Sequence, residues 1–165
     1  MKLSVRTAND EDAPRIVALR NDVAEYLTNQ YGRGHWSSCV TEQNVMRALK
    51  TSHVLVAQSD KDIVGTLRLQ TKKPWAIDLD YFTAVGRSLY LHDLAVSPER
   101  QGQAIGKRLL EKAKQIARAW PSDAIRLDAY DAAAGAGSFY VRCGFAEVGR
   151  KIYRGVPLIY YELIL

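Results

Sequence analysis

LYLHDLAV (Leu89 to Val96) has the composition of a buried strand, and it runs through a turn of small and polar residues, SPERQGQAIGK, into a long helix. No other stretch constrains the fold as much, because small residues between a strand end and a helix start let backbone N–H groups close on an anion. A phosphate fits such a turn. A plain βα turn, in which Gly102 and Gly106 only relieve steric strain, fits the glycine spacing equally well. Two nucleotide motifs fail on the same residues. A Walker loop needs GxxxxGK followed by Ser or Thr, whereas Gly102 to Lys107 is one residue short and Arg108 offers magnesium no hydroxyl. The dinucleotide fingerprint GxGxxG is missing too, since the glycine after Gly102 is Gly106, and a hairpin rather than a βαβ unit precedes it.

The rest of the chain alternates helix and strand signals. Leu3 to Arg6 reads as a short strand, and Asn9 or Asp10 can cap a helix with Pro14 near its start. Ile16, Leu19, Val23, Tyr26 and Leu27 carry that helix forward. The pattern breaks from Gln30 to Val40, and a second short helix starts near Thr41. His53 to Ala57 and Ile63 to Leu69 flank a polar turn and predict an antiparallel hairpin. Lys72 to Ser88 reads as a functional loop or a partly helical insert. In the helix from Ala104 to Trp120, Ile105, Leu109, Ala113, Ile116 and Trp120 form one apolar stripe. A strand over Ile125 to Tyr130, a short helix over Ser138 to Cys143 and strands over Phe145 to Tyr153 and Leu158 to Leu165 follow. The order β-α-α-β-β-β-α-β-α-β-β predicts an α/β fold around a mixed sheet. With 165 residues and no repeat or linker, residues 1–165 are expected to form a single domain.

Composition narrows the chemistry. Residues are 47% apolar and 25% charged, and no apolar run is long enough for a signal peptide or a membrane span, so a cytoplasmic protein is expected. Cys39 and Cys143 lie far apart without ligand spacing, which predicts neither a disulfide framework nor a metal site. Twenty-three Lys plus Arg against 18 Asp plus Glu leave +5, which suits an anionic ligand and does not require nucleic acid. The basic helix bearing Lys107, Arg108, Lys112, Lys114 and Arg118 keeps a second class open, a non-catalytic acyl-CoA-sensing or RNA-contacting module.

Gln101-Gly102-Gln103-Ala104-Ile105-Gly106 resembles motif A of the GNAT superfamily of acetyl-CoA-dependent N-acyltransferases, and GSFYVRCGF (Gly137 to Phe145) resembles its motif B. Ala104 stands where the family usually has glycine, a small-for-small exchange that is tolerated where the residue needs no positive φ. The resemblance implies the GNAT acyl-CoA N-acyltransferase fold, a central, mostly antiparallel mixed sheet flanked by about four helices. It also implies that acetyl-CoA is the acyl donor, lying where two parallel strands splay, Leu89 to Val96 and Ile125 to Tyr130. Leu94, Ala95 and Val96 would pair with the pantetheine amides. The N–H groups of Gln101, Gly102, Gln103, Ala104, Ile105, Gly106 and Lys107 would hold the pyrophosphate, with Arg100 as a further phosphate neighbour.

The reaction implied is direct attack of a neutral amine on the thioester, with the N–H of Leu94 stabilising the oxyanion and Tyr140 protonating the departing thiolate. A base must free the amine, because an alkylammonium with a pKa of about 10 is no nucleophile. Asp93 and His92 are the candidates; alternation along a strand points only one of them into the acceptor cleft, and water-relayed deprotonation is the alternative. The acceptor, a primary amine on a small molecule or peptide, is expected against Tyr26, Tyr31, Trp36, Trp75 and Tyr81, with Asp78 or Asp80 holding its ammonium. VPLIYYELIL at the end of the chain offers a sheet edge for a homodimer.

Overall fold

Capping chemistry sets the first helices. Asn9 accepts a hydrogen bond from the N–H of Glu11 at 3.0 Å, and Asp12 accepts one from the N–H of Asn9 at 2.9 Å. This reciprocal cap opens a 3-10 turn at Asp10–Asp12 that leads into α1 (Ala13–Tyr31), with Pro14 in the first turn where no N–H is needed. Thr41 and Asn44 build the same box for α2 (Glu42–Thr51). The computed structural model describes residues 2–165. The remaining elements are β1 (Leu3–Thr7), β2 (His53–Ser59), β3 (Asp62–Gln70), β4 (Ser88–Val96), α3 (Ile105–Ala119), β5 (Ala124–Tyr130), α4 (Gly137–Arg142), β6 (Ala146–Tyr153) and β7 (Val156–Ile164). Their order is the one expected from the sequence.

The strands bond in the order β1-β2-β3-β4-β5-β7-β6, a mixed and mostly antiparallel sheet accompanied by four α-helices. The parallel pairing is that of β4 with β5, in register over Ser88–Tyr90 against Ala124–Arg126. By their contacts the described residues form two compact units, residues 2–69 with His92–Ala113, and Gln70–Leu91 with Lys114–Leu165.

In the first unit, Ala13, Ile16 and Leu19 of α1 and Val45 of α2 pack on Val54, Val56 and Ile63 of β2 and β3. The helix α3 comes close to β3 because Gly65 has no side chain: a Cβ there would meet Ile105 and Leu109 at 2.9 Å. In the second unit, Ile77, Phe82, Tyr90 and Tyr160 form a cluster beneath the segment that joins β3 to β4. That segment holds one 3-10 turn, Leu79–Tyr81, and is tied down by bonds to distant strands. The Tyr160 hydroxyl donates to the carbonyl of Ala76, Arg126 donates to that of Thr83, and Lys151 pairs with Asp78. Among the described residues no helix is long and apolar enough to cross a membrane.

Candidate active site

The end of β4 and the turn after it lie in the first unit. The turn opens with the N–H of Arg100 donating to the carbonyl of Ser97 at 2.9 Å, and α3 begins where the N–H of Arg108 reaches the carbonyl of Ala104 at 3.0 Å. Between these bonds the backbone is left-handed twice, at Gly102 (φ +78°) and Ala104 (φ +61°). Alternating handedness curls successive N–H groups into an anion-binding concavity, and the 15-residue α3 adds its dipole at the same end. Residues 101–104 are exposed, and Gly102 has open space around it. The turn therefore presents residues 101–104 to solvent beside the start of α3. The tolerance expected for Ala104 assumed a negative φ; the actual value is positive, so its Cβ sits in strain that glycine would avoid.

Asp93 corrects a second expectation. It sits inside β4 with φ +56°, so the period-two alternation that was to separate it from His92 breaks at that residue. Its carboxylate is fully engaged: Arg20 of α1 donates to Oδ1 at 3.0 Å, and Arg68 of β3 donates to Oδ2 at 2.6 Å. Burial pushes this carboxyl up, but the charges of Arg20 and Arg68 outweigh it and hold Asp93 below the usual carboxylate range. His92 moves the other way. Burial first, and then the charge of Arg68, push it down to about 4 against the opposing pull of Asp93, so its imidazole is neutral and weakly basic at neutral pH. At neutral pH Asp93 is thus ionised and His92 uncharged.

The second unit holds Tyr140 on α4, which is 6% exposed. Its ring meets Phe139, Phe145 and Tyr161 at centroid distances of 5.5, 5.6 and 6.0 Å. Gly137 is required there, since a Cβ would lie 2.1 Å from the Tyr161 hydroxyl. The same unit supplies a group that the sequence reading missed, Asp128 of β5. It stands opposite Tyr160 of β7 in the register, and no described residue bonds or pairs with its carboxylate. Burial raises it above the ordinary carboxylate value. Its neighbour two residues back, Arg126, is committed elsewhere, to Glu162 at 3.0 Å. The available signal was the alternation of IRLDAY, which puts Arg126, Asp128 and Tyr130 on one face of the strand.

The expected acceptor residues divide between the units. In the first, Tyr26 and Trp36 are half-buried, Tyr31 is exposed, and the indole N–H of Trp36 donates to the carbonyl of Gly32. In the second, Trp75 is 82% exposed, while Tyr81 stacks edge-on against Tyr160 and crosses Gly149, where a Cβ would lie 2.1 Å from its ring. Asp78 accepts from the N–H of Asp80 and pairs with Lys151, so its carboxylate already holds an ammonium. Among the described residues, neither Cys39 nor Cys143 forms a disulfide.

Known proteins resemble this chain along most of its length. It is 30% identical over 143 residues to the uncharacterized N-acetyltransferase YesJ of Bacillus subtilis (strain 168), covering 84% of this chain and 79% of that protein. The crystal structure of the PaiA N-acetyltransferase from Thermoplasma acidophilum in complex with coenzyme A superposes with a TM-score of 0.75 at 18% identity, covering 100% of both chains. A ribosomal-protein-alanine N-acetyltransferase from Brucella melitensis superposes with a TM-score of 0.74 at 21% identity, over 98% of this chain and 99% of that one. Residues 16–145 match the Acetyltransferase (GNAT) family, and the chain belongs to that family.

Proposed function

We propose that this chain is an N-acetyltransferase that moves an acetyl group from acetyl-CoA to a primary amine of a small molecule or peptide. The observation that carries the reading is the doubly left-handed turn, Gly102 and Ala104, set between β4 and α3. The coenzyme A in the Thermoplasma relative agrees with it. Bound acetyl-CoA supplies the activated thioester. Leu94, Ala95 and Val96 offer their main chain to its amides, and the N–H groups of residues 101–107 offer themselves to its phosphates, with Arg100 and Lys107 adding positive charge.

Asp128 takes the base role in preference to Asp93. A carboxylate with no cation beside it and a raised proton affinity is suited to accept a proton from an ammonium, whereas one neutralised by two guanidiniums is not. Tyr140 keeps the acid role, holding on its hydroxyl the proton that the leaving sulfur needs.

Thiol release from acetyl-CoA, followed across amino acids, polyamines, aminoglycosides and peptides, tests the reading. One class of amine is expected to support turnover. Asp128→Asn and Tyr140→Phe are each expected to lower kcat by roughly 10²-fold or more, the usual contribution of a positioned acid or base, with little change in acetyl-CoA affinity. Binding of acetyl-CoA with no turnover on any amine would instead support a sensor. Full activity in Asp128→Asn would remove that residue from the mechanism.

A further inference from the structure

Strand β4 contains a conformation that it should not hold by itself. A residue with a Cβ is uncommon at φ +56°, Asp and Asn less so than the others, and the bend at Asp93 falls in the middle of a strand, one residue before Leu94. Two guanidiniums meet the side chain at that point, one for each oxygen, at 3.0 Å from Arg20 and 2.6 Å from Arg68. They arrive from different elements, α1 and β3, and Arg68 is itself held by a bond to the Ser52 hydroxyl at 2.9 Å. All three charged groups are largely shielded, with 22% to 28% of each side chain exposed. Returning Asp93 to an extended φ would swing its carboxylate away from both arginines and break two shielded ion pairs, which disfavours the extended form.

We infer that Arg20 and Arg68 are positioning residues for the donor: by clamping the Asp93 carboxylate they hold the left-handed bend, and the bend sets the direction of the N–H and C=O groups of Leu94 to Val96. A single left-handed residue inside a strand re-aims the backbone that follows it. The clamp thus acts on the donor through the main chain of β4, with no contact of its own to the donor. The inference rests on reading Leu94 to Val96 as the strand that receives acetyl-CoA.

The test separates backbone shape from charge. In the Arg20→Gln/Arg68→Gln background, Asp93→Gly and Asp93→Val both remove the stranded carboxylate, but only glycine permits the bend at no steric cost. Acetyl-CoA affinity is read by calorimetry on the folded proteins, and KM for acetyl-CoA is read beside KM for the amine. The double arginine variant is expected to bind acetyl-CoA about tenfold or more weakly, a change of about 1.4 kcal/mol. Adding Asp93→Gly restores the affinity to within about threefold of the parent, adding Asp93→Val does not, and KM for the amine stays put. Equal affinity in all four folded proteins overturns the clamp and leaves the acetyltransferase reading standing. A parent protein that binds no acetyl-CoA overturns both. Should the arginine variants fail to fold, Asp93→Gly against Asp93→Val in the parent reads the same contrast: affinity kept in Gly and lost in Val supports a bend that the clamp must hold, and equal affinity sinks it.

Discussion

Ala104 shows how much one methyl group can report. At φ +61° an L side chain costs about 1–2 kcal/mol relative to glycine, partly offset by the roughly 0.5–1 kcal/mol that glycine loses in unfolded-state entropy. Ala104→Gly is therefore expected to raise stability by up to about 1 kcal/mol in urea unfolding; a clear loss would mean that the turn does not hold its left-handed shape. Asp128 gives a second prediction at this scale, with a definite sign. Burial raises its folded pKa above the unfolded value, so the ionised form is disfavoured in the fold; this penalty is present at neutral pH, fades as pH falls through the folded value and is gone below the unfolded value near about 3.9. Asp128→Asn should raise Tm at pH 7 and give no gain at pH 3. If Asp128 is the base, kcat should climb with pH through a midpoint above that of an ordinary carboxylate, and the limb should vanish in the Asn variant. A limb that persists assigns the titration to another group.

Local signals sufficed for the elements that carry their own boundary chemistry. Asn9 and Pro14 mark the start of α1, Thr41 that of α2, and the stripe from Ile105 to Ile116 the buried face of α3, because caps and periodicity act within a few residues. The segment before β4 was opaque for the opposite reason. Its shape comes from partners 84, 43 and 73 residues away, through Ala76, Thr83 and Asp78, and none of these leaves a local mark. The bend at Asp93 was hidden likewise, with arginines 73 and 25 residues distant. In the candidate site, the turn between β4 and α3 is legible from its small residues, and the lack of a partner at Asp128 is not, since nothing near it shows that Arg126 turns to Glu162 instead. The cap of α1 supports a prediction at this scale. Asp12 is 1% exposed and bonds Arg6, Arg15 and the N–H of Asn9, so Asp12→Ala should cost roughly 1.5–3 kcal/mol in unfolding free energy. The arginine bonds, foremost that of Arg6, hold the carboxyl below its usual value, so its contribution is present above the unfolded pKa and is lost as pH falls through the folded one. The difference between Asp12→Ala and the parent should therefore shrink in acid; a constant difference would assign the loss to packing alone.

Across the whole chain, the +5 net charge finds a use in this account, since the donor it assigns is a polyanion. Binding to the native state alone adds stability by mass action, about 2.7 kcal/mol at a hundredfold excess over Kd, so acetyl-CoA should shift the entire unfolding transition. Everything proposed for this chain depends on acetyl-CoA binding at the turn after β4. Calorimetric titration with acetyl-CoA tests it most directly, on the parent and on Gly102→Val, where open space rules out a clash and only the left-handed backbone is disturbed. One site per chain is expected in the parent, with affinity weakened about tenfold or more in the variant. Absence of binding in the parent, or equal affinity in the two folded proteins, would contradict it.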